Sequence, residues 1–433
     1  AWRVAMSARY LLAHGSYLPS RLPGYPVHDL AMAPLLRGGW LLTNSAGLLV
    51  SLIGVLLFAR IVRRLAVPHA AMLTLTFAFL PLLWSTSVAT LDYTWALTFL
   101  IGCYLAVLSE RPILAGALLG LAGGCRISTL VFGLPFALLC FRQRPLREVM
   151  RFVVASALTW LTVFSPIWLR YGTQFWNFYD VRPPWGDVLH ATTEGTIGLM
   201  PLAVLITSLL LSWRRLLQVP RLMRADPQAN LWAMVVLLTL FIYARLPLQT
   251  YYLMPAAPFA LLLLARLLRP RLLAFTCLAL LLGGFVDVYT TSPSGWRTPL
   301  ALLGLRPTAG LVLQDYRLRA DRLTLVRRLR TIDLPEHSVV TTGFYFPMVA
   351  ELYHDQLRLD LPEGYLFQVG PLTDNARATD GRDIMYVWLL TQGDARDLIR
   401  QGYRIYTLDF SRQTRRPVLS EIYLPQNERF GIH

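Results

Sequence analysis

The chain contains no lysine, so all 41 of its Lys and Arg positions are arginine, against 25 acids in 433 residues. Charged residues make up only 15% of the chain and hydrophobic ones 55%. One soluble core could not hide that much apolar surface, whereas a bilayer accepts it. The net charge of +16 does not point to nucleic acid. The arginines fall in short clusters between apolar runs, as membrane topology distributes them, and form no continuous basic patch. Cysteine is equally scarce. The four present, Cys103, Cys125, Cys140 and Cys277, lie in or beside apolar segments, which excludes a disulfide framework and a CxxC-type metal site. An exported region without cystines fits a bacterial envelope protein. The C-terminal 140 or so residues lack GxGxxG, GKS/T and HExxH, and no fixed-period repeat runs along the chain.

What is present is a series of apolar runs, roughly 17 to 22 residues each, the length a helix needs to cross a bilayer. They lie near 39–59, 71–89, 93–109, 148–168, 196–213, 229–244, 250–268 and 271–289. A longer apolar stretch over 112–141 is broken by "GLAGGCRIST" near Gly123, Gly124 and Arg126 and reads as two short helices. The expected fold is an α-helical polytopic membrane protein of about ten helices. The loops alternate in charge. Arg60, Arg63 and Arg64, then Arg111, then Arg142, Arg144 and Arg147, then Arg214, Arg215, Arg221 and Arg224, then Arg266, Arg269 and Arg271 mark the cytoplasmic side. Asp92, Arg126, the loop over 169–195, the "RLPLQTYY" turn and both termini are then external. Such an arrangement implies at least one transmembrane helix ahead of Ala1, the alternative being an N-terminus exported on its own.

Three regions follow. Residues 1–38 read as an external segment with an amphipathic surface helix, "WRVAMSARYLLAHG", and a Pro-rich loop. Residues 39–290 form the membrane domain. Residues 291–433 have soluble composition, with "YRLRADRLTLVRRLR" a basic helix, "HSVVTTGFYF" and "DIMYVWLL" strands, and "GDARDLIRQGYRIYTLDF" a helix, a turn and a strand. That alternation predicts a small extracytoplasmic α/β domain.

Few residues in the apolar part can do chemistry. Asp92 is the only Asp, Glu, Lys or Arg between Arg64 and Glu110. It either caps the helix that follows or faces a cavity, partner or substrate. Arg126 stands alone between two apolar half-helices and needs an anion: a phosphate suits its planar fork, and a salt bridge to Asp92 or a snorkelling position at the interface are the alternatives. "FYDVRPPWGDVLH" adds Asp180, Arg182, Asp187 and His190, and "ARLPLQTYYLMPAAPF" adds Arg245, Tyr251 and Tyr252. Taken singly these read as interface anchors. Together with Tyr93 they outline an external cavity of acids and arginines with apolar walls, as lipid-linked phosphate chemistry requires. "SRLPGYPVHD" adds Arg21, Tyr25, His28 and Asp29 in a rigid Pro-Gly turn. His28 and Asp29 are two possible metal ligands without a third.

The order of these stretches resembles the GT-C superfamily of membrane glycosyltransferases, in the branch of the protein mannosyltransferases and the lipid A aminoarabinose transferase. The resemblance covers roughly residues 1–290 and rests on four motifs: "SRLPGYPVHDLAMAPLL", "LDYTWALTFLIG", "GALLGLAGGCRIST" and "RLPLQTYYLMPAAPF". It implies an inverting enzyme of the cytoplasmic membrane that takes a sugar from a polyprenyl-phosphate donor and passes it to a lipid, glycan or protein acceptor on the outer face. Asp92 would arrange the active site as a catalytic residue. Arg126 and Arg245 would hold the donor phosphate, with Arg182 a third candidate. Arg21, Tyr25, His28, Asp29, Tyr93, Tyr251 and Tyr252 would line the substrate cavity. The family's principal catalytic acid lies at the outer end of its first membrane helix, which by this alignment falls ahead of Ala1. No cofactor is demanded, although a divalent cation could share the phosphate charge. Two other classes compete: a transporter or flippase of a lipid-linked or anionic substrate, and an inactive scaffold whose external domain binds a partner. The sugar, the acceptor and the oligomeric state are not legible.

Overall fold

The computed structural model describes residues 2–21, 23–173, 185–193, 195–245, 247, 249–290, 303–306, 310–329, 333–346, 348–349, 357–360, 375–378, 381–388, 390, 392–411 and 416–421. They divide into two compact units, with the break between Gln314 and Asp315.

The first unit is helical. Helices α1 (Trp2–His14) and α2 (Pro26–Leu35) precede α3 (Gly39–Arg64), α4 (Ala70–Phe79), α5 (Pro81–Ser87), α6 (Asp92–Leu108) and α7 (Pro112–Cys125). Then come α8 (Gly133–Gln143), α9 (Leu146–Tyr171), α10 (Trp185–Thr192), α11 (Leu199–Leu211), α12 (Trp213–Leu216), α13 (Val219–Ala225), α14 (Pro227–Arg245), α15 (Ala256–Leu267) and α16 (Pro270–Leu282). Among the described residues three helical runs are long and apolar enough to cross a membrane: Pro26–Arg64, Leu146–Tyr171 and Pro227–Arg245. A fourth is the pair α4 and α5, bent by 57°. Pro81 explains the bend, since proline drives the preceding residue out of the helical region and Leu80 sits at ψ 130°. The remaining apolar helices are shorter, at 10 to 17 residues.

Burial follows this reading. On α3 and α9 whole rows of apolar side chains face outward, with Trp40 75% and Leu169 87% exposed. An aqueous surface would not carry such stripes, whereas hydrocarbon would. Inside, Tyr104, Phe136 and Phe259 pack ring to ring, and Trp232 donates to the Tyr104 hydroxyl, which donates to Gln228. Arginines close helix ends: Arg64 donates to the Leu108 carbonyl at 2.6 Å and Arg215 to the Leu268 carbonyl at 2.9 Å, taking up acceptors left over at C-termini.

The closest helix contact comes from a glycine ladder. Gly116, Gly120 and Gly124 recur every four residues on α7; the first two let its backbone touch that of α9, and Gly124 makes room for the Val27 and Val163 side chains. A Cβ at Gly116 would lie 2.2 Å from the Phe152 carbonyl oxygen, and one at Gly120 2.8 Å from that of Ser156. Helix α7 ends where the glycines and Cys125 give way to Arg126, which is extended at φ −154°, ψ 111°. Some elements differ from the sequence reading: α10, α12 and α13 fall in stretches read as loops. The Pro-rich stretch taken as loop contains α2, because Pro26 occupies the first turn, where its fixed φ and missing N–H suit a helix start. His28 and Asp29 therefore stand on a helix and not in a turn.

The second unit is α/β. Its strands β3 (Ser338–Thr341), β4 (Leu357–Asp360), β5 (Asn375–Ala378), β6 (Ile384–Val387), β7 (Arg404–Ser411) and β8 (Arg416–Glu421) lie in the order β4-β5-β6-β3-β7-β8. Strands β1 (Asp287–Thr290) and β2 (Leu303–Arg306), which belong to the first unit, form a separate antiparallel pair. The centre, β6-β3-β7, is parallel and the outer pairings are antiparallel. Val339 and Val340 on β3 are both buried, one in each of two clusters, as expected of a central strand covered on two faces. Val326 of α17 (Leu311–Leu329) belongs to one cluster and Leu398 of α18 (Gln392–Arg400) to the other. At the N-terminal ends of the parallel strands, Asp383 accepts from the Tyr403 hydroxyl at 2.6 Å and lies 2.9 Å from His337 Nδ1.

Two outcomes follow. Gly116→Val forces α7 off the α9 backbone and costs about 1–3 kcal/mol, read as a lowered Tm in detergent. Gly102→Ala, whose nearest neighbour is the movable Leu118 side chain at 3.4 Å, leaves Tm nearly unchanged. The Tyr403 hydrogen bond, and beside it His337, hold the Asp383 carboxyl below its usual range. The folded state thus favours the charged form, so this contribution is complete above the ordinary carboxylate pKa of about 3.9 and disappears as pH falls below it. Protection factors of β3 and β6 amides in the full chain, taken relative to the intrinsic exchange rate at each pH, should fall there, and Asp383→Asn should flatten that pH dependence.

Candidate functional site

Asp92 opens α6 and is 1% exposed. The residue before it, Leu91, is the N-cap, and no side chain caps this helix. The carboxylate is instead held by two arginines: Arg126 Nη1 donates to Oδ2 at 2.6 Å and Arg21 Nη2 donates to Oδ1. Of the roles open to Asp92 in the sequence, side-chain capping is thus replaced by ion pairing. Of those open to Arg126, the salt bridge to Asp92 is the one formed.

Each partner arrives for a local reason. Arg126 is the first non-helical residue after the α7 glycines, and its own carbonyl accepts from the Thr129 hydroxyl, which starts the 3-10 turn Ile127–Phe132. Arg21 comes from the segment between α1 and α2. That segment is held by Asp29, whose Oδ2 accepts from the Tyr17 hydroxyl at 2.8 Å and the Ser20 amide at 3.1 Å. Burial first, and then the Asp29 charge, push the Tyr17 phenol well up, so it remains a donor. Gly24 at φ +104° lets the turn lie on α9, where a Cβ would be 2.1 Å from Ile167 Cδ1.

Aromatic rings surround the guanidiniums. Arg126 lies 3.9 Å from the Tyr93 ring centre, 4.8 Å from Tyr252 and 5.5 Å from Tyr25, and Arg21 lies 4.6 Å from Tyr25. Tyr93 donates to Gln249 at 2.7 Å. A cleft of about 370 Å³ with its open mouth included is lined by Tyr93, Arg126, Thr129, Tyr251, Tyr252 and neighbouring apolar residues. The two arginines and Asp92 leave one positive charge in excess in a largely desolvated setting. Such a setting strengthens attraction to an added anion.

The structure therefore brings together Asp92, Arg126, Arg21, Tyr25, Tyr93, Tyr251 and Tyr252. His28 and Asp29 lie behind Asp92 on α2, with His28 against Trp95 at 5.7 Å between ring centres. His28 Nδ1 is 3.8 Å from Asp29 Oδ1, and among the described residues no group of three His, Cys, Asp or Glu side chains converges. Arg245 is not in the cleft lining: α14 runs on to that residue and leaves it exposed, whereas Tyr251 and Tyr252 line the cleft. Asp180 and Arg182 lie outside the described residues, as do the side chains of Asp187 and His190. Gln249, Tyr17, Ser20 and Trp95 escaped the sequence reading. Trp95 had a signal, one helical turn after Asp92, whereas the others are ordinary polar or aromatic loop residues.

Six buried polar atoms of this neighbourhood have no hydrogen-bond partner among the described residues: Ser20 Oγ, Arg21 Nε, both ring nitrogens of His28, Asp29 Oδ1 and Trp95 Nε1. Each such atom costs about 1–3 kcal/mol, so together they would cancel much of the ~5–15 kcal/mol that keeps a fold stable. These groups need partners that the described chain does not supply.

Breaking the central cluster should be costly. Asp92→Asn leaves Arg21 and Arg126 without their shared counter-ion and destabilises the first unit by about 3–5 kcal/mol. In a double-mutant cycle with Arg126→Ala, the double variant, with one arginine fewer to repel the other, recovers part of that loss, measured by thermal unfolding in detergent.

The chain matches no family model, no curated protein and no solved structure among those compared.

Proposed function

We propose that the chain is a multi-pass glycosyltransferase of the cytoplasmic membrane with a GT-C-like fold. It takes a sugar from a polyprenyl-phosphate donor and transfers it, on the outer face, to a lipid, glycan or protein acceptor. The observation that carries this reading is the buried Arg21–Asp92–Arg126 cluster, with one positive charge in excess, opening onto a tyrosine-lined cleft at the head of an apolar helix. A lipid phosphate is the ligand that uses both properties: its charge meets the guanidiniums and its apolar chain meets the aromatic and aliphatic wall. The motif order of the GT-C resemblance supports the same reading. Sidedness supports it as well, because the arginine-rich turns fall at the helix ends away from Asp92, as positive-inside topology requires. The second unit would then be extracytoplasmic, as its position after the last apolar helix suggests.

In this reading the acceptor oxygen or nitrogen attacks the anomeric carbon, the bond from that carbon to the phosphate oxygen breaks, and the lipid phosphate departs with the electron pair. Arg126 and Arg21 stabilise the developing charge. Asp92 serves as a positioning residue, since each of its oxygens accepts a guanidinium bond and so sets the place of both arginines. A carboxylate acting as general base takes the acceptor's proton.

The test is transfer of labelled sugar from polyprenyl-phosphate donors in membranes expressing the gene. Arg126→Ala should lower transfer by about 100-fold or more, the size of losing one preorganised charge-stabilising donor. Asp92→Asn should lower it at least about tenfold, with protein levels and Tm measured alongside. Transfer unchanged in both variants would refute the site. Movement of a lipid-linked substrate across the bilayer without any transfer would replace the enzyme with a transporter.

A further inference from the structure

A second gathering of charge lies at the other end of α14 from the cleft. Thr239 and Ile242 of that helix line the cleft. Asp226 precedes the helix, about three and a half turns before Thr239, and its Oδ1 accepts from the Gln228 amide at 2.9 Å. Helices α12 and α13 lead up to Asp226 and hold Arg214, Arg215, Arg221 and Arg224, all exposed. The junction of α15 and α16 adds Arg266, Arg269 and Arg271, exposed as well. Two contacts bring these segments together: Arg215 donates to the Leu268 carbonyl at 2.9 Å, and Arg266 Nε lies 3.7 Å from Asp226 Oδ2. Asp226 is the only acid between residues 195 and 286, so the seven arginines leave six positive charges in excess. Among the described residues no acid pairs with Arg214, Arg221, Arg224, Arg269 or Arg271.

The apolar residues of the same stretch say what faces this charge. On α13, Leu222 and Met223 pack against the core, whereas Arg221 and Arg224, three apart, share the opposite face. The helix thus lies on the flank of the unit with its basic side outward. Just ahead of it Trp213 and Leu217 are 54% and 71% exposed, and the Arg214 guanidinium lies 5.6 Å from the Trp213 ring centre. Leu210 and Leu211, at the end of α11, are exposed too. The stretch Trp213–Ala225 is too short and too charged to cross a bilayer, so it runs along the surface. A soluble anion would answer the arginines alone and leave Trp213 and Leu217 in water. The headgroup layer of a bilayer meets both, with phosphates for the guanidiniums and acyl chains for the ring and the leucine.

We infer that α12, α13 and the junction of α15 and α16 form a binding surface for anionic phospholipid headgroups. The arginines hold the headgroup phosphates, and Trp213 and Leu217 enter the acyl boundary. The inference needs the first unit to lie in a membrane and is independent of sugar transfer. No covalent bond changes at this surface.

The experiment places the full chain in phosphatidylcholine nanodiscs at low salt. It compares the association of spin-labelled phosphatidylglycerol with that of spin-labelled phosphatidylcholine. Wild type should prefer phosphatidylglycerol. Arg221→Gln together with Arg224→Gln should lower that preference about fivefold or more, the worth of one arginine at a charged headgroup. Arg60→Gln together with Arg63→Gln removes the same charge from exposed positions at the end of α3 and should leave the preference nearly unchanged. All four side chains are exposed, so both variants should keep the wild-type Tm. Inorganic phosphate at matched ionic strength should not displace the phosphatidylglycerol. Equal association of the two lipids with wild type overturns the proposal and leaves the basic face to an acidic partner in solution. An equal loss in the α3 variant reduces the site to a uniform surface potential and overturns it too. Displacement by inorganic phosphate overturns the lipid as occupant. A chain that does not enter nanodiscs overturns the membrane reading, and the surface with it.

Discussion

A single carboxylate clamped between two guanidiniums organises the first unit. Asp92 is tied to Arg126 across 34 residues and to Arg21 across 71, so one buried ion cluster joins the start of α6, the end of α7 and the segment between α1 and α2. None of these charges could remain buried alone, because an unpaired ion in a dry interior costs several kcal/mol. The cluster therefore constrains the geometry of everything near it. The tyrosines stack on the arginines, the cleft opens where Arg126 emerges, and α2 packs behind with its own buried acid.

Much of this was legible because charge is so rare in the apolar part. Asp92 and Arg126 stood out against dozens of uncharged neighbours, and the break in the long apolar stretch at Arg126 followed from its glycines. The Gly–Pro turn at residues 23–26 announced a rigid connection. Three things could not be read. The pairing of Arg21 with Asp92 depends on how α1 folds back, which no local pattern encodes. That Asp92 serves arginines and not the helix N-terminus is decided by tertiary contact, since an acid there suits both. Arg245 matched a motif, but the length of α14 determines where a side chain at its end emerges, and helix ends are the least predictable feature of a sequence.

In the second unit the strands were clearer than their order. "SVVT", "IMYV" and "RIYTL" are β-branched and apolar, and each forms a strand, yet β3 sits between β6 and β7 and not beside β4. Sequential strands pair often, but a parallel centre with crossover helices breaks that order, and only the two-faced burial of Val339 and Val340 reveals it.

The glycine ladder of α7 has a mechanical side. Two helices whose backbones touch at Gly116 and Gly120 behave as one stiff strut, because any slide between them runs main chain into main chain. Arg126 hangs from the end of that strut, whereas Arg21 sits on a non-helical segment with its side chain 31% exposed. The two jaws of the clamp are thus unequal: one is set by packed main chain, the other by hydrogen bonds from Tyr17 and Ser20 to Asp29.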